Sequence, residues 1–279
     1  MALPLIGLPI LILVSWWGGW GLLLVIGGIS LIGMHEYYAA ARLQGRHPVA
    51  LAGYLGVAAL LAVTEYAPEG YRDPLVVCVL FLAVMAAMMG VFGRGQYTGA
   101  LADIATTVFG LAYVGLGMSF YLRLRNFDVA AAQGYPDVFL TGHISTLLMV
   151  ILPVWLLDST AFTVGGLWGR RLLAPILSPH KTVEGAAAGF AAGVLATVLM
   201  GVYWNHMVLG QALALGLMIG VLAQCGDLAK SVFKRDVGIK DFGTVFGAHG
   251  GVLDRFDGVL FVMPVAYFYL WLILPHLPK

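Results

Sequence analysis

The stretch ALALGLMIGVLAQCGDLAKSVFK, residues 212–234, carries no charge from Ala212 to Gly226 and then Asp227, Lys230, Ser231 and Lys234 within eight residues. Its apolar part belongs to a run over 207–225 that approaches the roughly 20 residues a helix needs to cross a bilayer. If the helix continues past that run, the four polar residues fall at i, i+3, i+4 and i+7, on one face. A membrane helix ending in a polar face is therefore the unit to look for in the rest of the chain.

The composition agrees. Of 279 residues 61% are hydrophobic, and the mean hydropathy is +0.92, against roughly 45 to 50% apolar residues in a soluble domain. Further apolar runs cover about 48–66, 73–92, 98–122, 140–158, 183–204 and 258–275. Residues 3–41 are too long for one crossing, and SWWGGWG at 15–21 suits an interfacial turn between two short helices. The expectation is an all-α, polytopic integral membrane protein with about nine transmembrane helices. Helices 1 to 5 fill residues 1–139; helices 6 to 9 fill a catalytic region, 140–279, with loops at 159–182 and 226–257. The N-terminal run lacks a basic n-region and a small-residue cleavage site, so it reads as a span, not a signal peptide.

Charge counts limit the partners. Fifteen Lys and Arg against fourteen Asp and Glu leave a net charge of +1, which gives no argument for nucleic acid. Cys78 and Cys225 lie in apolar segments and read as small packing residues. With nine crossings, eleven of the fifteen basic residues fall on one side, among them Arg42, Arg94, Lys181, Lys240 and Arg255, while Arg72, Arg123, Arg125 and Lys279 fall on the other. The positive-inside rule makes the richer side cytoplasmic.

Ten charged residues crowd into Asp227–Asp257, with nineteen in the other 248 positions. Asp254 and Asp257, three apart at the start of helix 9, point the same way if helical. Carboxylates near the hydrocarbon edge cost free energy unless paired or metal-bound. Hard carboxylate oxygens suit Mg²⁺, which commonly joins one or two carboxylates to substrate phosphates. Asp227, Asp254 and Asp257 are thus candidate ligands for one or two metal ions, with the interleaved Lys and Arg as phosphate clamps. Gly247, Gly250 and Gly251 would let backbone N–H groups approach an anion. His249 is a candidate for phosphate binding or proton transfer, beside the structural role common to lone histidines.

A smaller cluster lies in LLDSTAFTVGGLWGRRLLAPILSPHKTVEG, 156–185, where Asp158 and Ser159 end an apolar run. Lys181, beside Ser178 and Thr182 at the mouth of a helix, is placed to meet an anion. Gly185, Gly189 and Gly193 are spaced by four, as in close helix packing. Glu36 reads as an interfacial, snorkelling acid, and Asp103 as interfacial too. HEYYA at 35–39 has Ala39 where a zinc-protease helix needs its second His, and Lys181–Thr182 lacks the glycines of a P-loop.

The stretch SVFKRDVGIKDFGTVFGAHGGVLDRFD, 231–257, resembles the signature of the phosphatidate cytidylyltransferases, through Ser231, Lys234, Arg235, Lys240, Asp241, Gly243, Gly247, His249, Gly250, Gly251, Asp254, Arg255 and Asp257. DSTAF with Gly165 and Gly169, and SPHKTVEG, resemble weaker family motifs; Gly166 and His180 depart from the usual residues. The resemblance implies an enzyme of the cell membrane, facing the cytoplasm, that joins CTP and phosphatidate into CDP-diacylglycerol and pyrophosphate with Mg²⁺, as a homodimer. It implies catalytic roles for Asp227, Lys234, Arg235, Asp254 and Asp257. Lys181, Ser231, Lys240, His249, Gly250, Gly251 and Arg255 would bind phosphate. The alternatives are a CTP-dependent lipid kinase and, in another class, a cation-coupled transporter, though the repeated halves and broken helices of transporters are absent from the sequence.

Overall fold

The structure, a computed structural model, describes residues 2–95, 97–135, 142–245, 247 and 250–276. The regular structure of the described residues is helical apart from one hairpin: α1 (Ala2–Trp17), α2 (Gly19–Leu43), α3 (Ala50–Tyr66), α4 (Glu69–Phe92), α5 (Ala100–Gly110), a π-helical turn (Leu111–Leu116), α6 (Gly117–Arg125), α7 (Val129–Ala132), α8 (Gly142–Trp168), β1 (Leu172–Ala174), β2 (Ser178–Thr182), α9 (Val183–Asn205), α10 (Leu209–Val237) and α11 (Leu253–Phe268), which runs on in π- and 3-10-helical turns to His276. Among these residues, seven helical stretches are long and apolar enough to cross a membrane, α5 and α6 counting as one. The protein is an all-α polytopic membrane protein. Nine crossings were expected; among the described residues seven helices are long and apolar enough, and α3, apolar but 17 residues long, is shorter.

Hydropathy misplaced two helix ends. α8 runs to Trp168, so Asp158 is inside it, ten residues from its end, and the loop expected over 159–182 shrinks to a short link and the β1–β2 hairpin. α10 runs to Val237, which carries Asp227, Lys230 and Lys234 on helix, not loop. Backbone hydrogen bonding continues where apolarity stops, because a helix needs water-free surroundings for neither its geometry nor its ladder. Cys78 and Cys225 are exposed and unbridged, a correction to their reading as packing residues.

The chain forms two compact units, Met1–Arg123 with Asp236–Phe256, and Leu124–Arg235 with Asp257–Lys279. The segment 236–256 groups with the N-terminal helices in this division.

In the first unit, SWWGGWG is the turn between α1 and α2. Gly18 and Gly19 adopt φ +71° and +57°, left-handed values that only glycine takes without penalty. Trp17 is 90% exposed there, and Trp20 packs on Tyr66 at the end of α3 with ring centroids 4.6 Å apart. Aromatics of this kind favour the membrane–water interface. At the other helix ends, Arg94 donates to the His47 carbonyl at 2.6 Å and to Asp103 Oδ2 at 2.9 Å, while Asp103 Oδ1 accepts from His47 N–H at 2.7 Å. Gln44 also reaches the Asp236 carbonyl. Successive turns therefore alternate between two ends of the bundle, as successive crossings require. Asp103 is buried, and it organises the α2–α3 link; the sequence had it as an interfacial acid.

In the second unit, α9 lies against α8 along Gly185, Gly189 and Gly193. A Cβ at 185 would stand 2.9 Å from Gly165 Cα, one at 189 2.9 Å from Ala161 Cβ, and one at 193 3.2 Å from Leu157. The small-residue face is a packing face, as its spacing predicts. Gly216 and Gly220 admit Val194 and Phe190 of α9 to α10, and Gly226 admits Phe261 of α11.

Candidate active site

These close approaches bring five charged side chains from four elements together in the second unit. Asp227 of α10 is paired with Lys181 at the end of β2 and with Lys230 one turn on, the latter at 3.3 Å. Lys230 is paired in turn with Asp257 of α11. Asp158 of α8 lies within electrostatic reach of all four. The side chains of Lys230 and Asp257 are only 11% and 7% exposed, whereas those of Lys181 and Asp227 are 28% and 27% exposed. The cluster therefore has a buried end and an open end. Two lysines and three aspartates thus share one neighbourhood.

Local structure aims Lys181. Thr182 caps α9, its Oγ1 accepting from Gly185 N–H at 3.2 Å, and Glu184 Oε2 accepts from the backbone N–H groups of Arg170 and Arg171 at 3.0 and 3.2 Å. Gly165 and Gly169 leave room for the Thr182 side chain. The hairpin is thus pinned to the α8 and α9 ends, and Lys181 with it.

The first unit holds residues 241–245 and 250–252, ahead of the first turn of α11. Asp254 Oδ2 accepts from Phe242 N–H at 2.9 Å and Gly251 N–H at 3.0 Å. Glu36 of α2, 4% exposed, accepts from Val252 N–H at 3.0 Å and Leu253 N–H at 2.9 Å. The expectation that Glu36 snorkels is wrong: it is an internal anion at the start of α11.

A family model described as "Cytidylyltransferase family" matches residues 1–273. The chain belongs to that family. It is 32% identical over 280 residues to a phosphatidate cytidylyltransferase of Synechocystis sp., covering 93% of this chain and 92% of that one. The enzyme of the same name from Bacillus subtilis is 34% identical over 192 residues, 68% of this chain and 66% of its own length.

Of the residues that the family signature singled out, the structure brings together Lys181, Asp227 and Asp257. Among the described residues no group of three or more His, Cys, Asp or Glu side chains gathers closely enough to hold a metal alone. Ser231 Oγ donates back to the Asp227 carbonyl at 2.9 Å. Arg235 Nε donates to the Leu177 carbonyl at 3.1 Å and so braces the hairpin tip. Lys234 is half-buried on α10, and Lys240 and Arg255 are exposed. Gly250 takes φ +82°, and the Gly251 N–H is used by Asp254. His249 lies outside the described residues. Sequence reasoning put Lys230 on the polar face beside Asp227 without a role of its own, and left Asp158 and Glu36 out of the site. For Asp158 the signal was there, as the one acid in a 27-residue apolar helix. For Lys230 it was the one-turn spacing from Asp227.

Proposed function

We propose that the protein transfers the cytidylyl group of CTP to phosphatidate, giving CDP-diacylglycerol and pyrophosphate. The observation that carries the reading is the five-residue cluster of Asp158, Lys181, Asp227, Lys230 and Asp257 in a membrane-spanning helix bundle, in a chain similar over 93% of its length to a protein bearing that activity's name. In the reaction a phosphatidate oxygen attacks the α-phosphorus of CTP, the bond to the bridging oxygen breaks, and pyrophosphate departs with the electron pair. Both reactants are polyanions, so catalysis is mainly positioning and charge neutralisation. Lys181, at the open end, is placed to bind CTP phosphate, and Lys230 to hold Asp227 and Asp257 apart and oriented. Phosphatidate is already ionised near neutral pH, so no protein nucleophile or strong base is called for.

The donor set fits Mg²⁺. Asp227 and Asp257 are carboxylates already arranged around cationic nitrogen, and Mg²⁺ typically takes one or two carboxylates and completes its shell with phosphate and water. The ion would supply Lewis-acid polarisation and neutralise the leaving group. Asp254 is a third candidate by family resemblance alone. The eleven-to-four split of basic residues between the two sides of the expected crossings supports a cytoplasmic site, and the family resemblance supports a homodimer.

Purified protein given phosphatidate, Mg²⁺ and CTP labelled at the α-phosphorus should move label into lipid and release pyrophosphate. Label entering lipid only from the γ-phosphorus would make it a kinase, and no CTP-dependent labelling at all would sink both readings.

A further inference from the structure

Glu36 is the one acid in α2, and an ionisable group buried in a membrane-spanning helix costs free energy unless its hydrogen bonds are made. Both of its oxygens are used. Oε1 takes the Val252 N–H and Oε2 the Leu253 N–H, 216 and 217 residues along the chain. These amides open α11, where unsatisfied N–H groups and the positive end of the helix dipole meet an anion.

Two glycines of the signature answer to the same carboxylate. A Cβ on Gly243 or on Gly251 would collide with the Glu36 carboxyl group. Neither glycine has a positive φ, so backbone conformation does not call for glycine at either place; the nearness of Glu36 does. Gly33, one turn before Glu36, likewise lies within contact distance of Leu253, a Cβ there standing 3.4 Å from its Cδ2. A glycine-rich loop ahead of a helix would ordinarily offer its amides to a phosphate. Here carboxylates of the chain itself take them: Glu36 at Val252 and Leu253, Asp254 at Phe242 and Gly251.

We infer that Glu36 is a positioning residue, an internal anion that seats Gly243 and residues 251–253 on α2 and so sets the place of Asp254 and the start of α11. It does not touch substrate. Its kinetic consequence rests on the proposed cytidylyl transfer; its structural consequence does not.

The test uses the full chain in detergent as wild type, Glu36→Ala, Glu36→Gln, Gly251→Ala and the double variant Glu36→Ala/Gly251→Ala. Amide hydrogen exchange over 242–253, thermal midpoints, and steady-state turnover with CTP, phosphatidate and Mg²⁺ are measured. Glu36→Ala should speed exchange at Val252 and Leu253 and lower kcat, each by about tenfold or more, with the KM for CTP moving by less than about threefold. Glu36→Gln, which keeps one acceptor oxygen, should recover part of both. Gly251→Ala should lower kcat and the midpoint by itself, and cost little more once Glu36 is already alanine. Unchanged exchange in Glu36→Ala, or additive losses in the double variant, would overturn the inference. So would a fall in KM with kcat kept, which would mean that the amides serve a substrate phosphate. Should Glu36→Ala not fold, Glu36→Gln combined with Gly251→Ala gives the same coupling. A wild-type protein inactive on CTP and phosphatidate would remove the proposed function, while exchange and coupling would still decide the role of Glu36.

Discussion

Lys230 is the residue on which the second unit's charges turn, since it is shared by Asp227 and Asp257. Breaking a buried ion pair from one side leaves the other charge uncompensated, at a cost of about 3 kcal/mol. Lys230→Met should therefore lower the thermal midpoint, and Mg²⁺ should restore more of it in the variant than in wild type. Equal Mg²⁺ shifts in both proteins would show that the ion does not use these carboxylates. Asp227→Asn and Asp257→Asn should each lose more than about tenfold in kcat/KM, or about 1.4 kcal/mol of transition-state stabilisation, while far-ultraviolet circular dichroism stays helical. Lys181→Ala should act mainly on the KM for CTP, because Lys181 stands at the open end of the cluster. A loss confined to kcat would place it at the reacting phosphorus instead.

At the scale of elements, neighbouring glycines in α8 have opposite meanings. A Cβ at Gly165 would stand 2.9 Å from Thr182 Oγ1, whereas one at Gly166 meets nothing within 4 Å. Gly166→Ala should stabilise α8 by up to about 1 kcal/mol through helix propensity. Gly165→Ala should destabilise it and disturb the Thr182 cap, whose removal costs about 1 kcal/mol in other helices. Paired thermal melts read the contrast directly, and equal effects would mean that α8 does not rest on the start of α9 as described. The α9 glycines work the same way on a larger surface. They let two helix backbones approach closely enough for Asp158 on α8, Lys181 before α9 and Asp227 on α10 to share one electrostatic neighbourhood.

Across the first unit, turns alternate between an end rich in aromatics, Trp17, Trp20 and Tyr66, and an end where Arg94, Asp103 and His47 meet. The proposed orientation puts the second end in the cytoplasm. With Cys78 and Cys225 replaced, a cysteine at Lys240 should react with an impermeant thiol reagent only from the cytoplasmic side, and one at Tyr71 only from the other. The reverse pattern would invert the protein and the access of CTP with it. The division between the two units falls inside α11, after Phe256.

Much of this was legible in residue order. Apolar runs gave the helices, because a bilayer demands internally bonded backbone over a set length. SWWGGWG gave the first turn, since paired glycines bend where few other residues can. The one-turn spacing of Asp227 and Lys230 gave a polar face, and the 231–257 signature gave the family. Other features were set only by tertiary structure. Hydropathy cannot say that α8 and α10 run on past their apolar stretches, nor that Asp158 belongs with Lys181. It put Glu36 at an interface and read Gly251 as room for phosphate, when the carboxylate fills that room and caps a helix 216 residues away. The physical reason is common to all of these. Periodicity shows which side of a helix is polar, but the partner of a buried charge is whichever group the packed backbone brings within hydrogen-bonding distance.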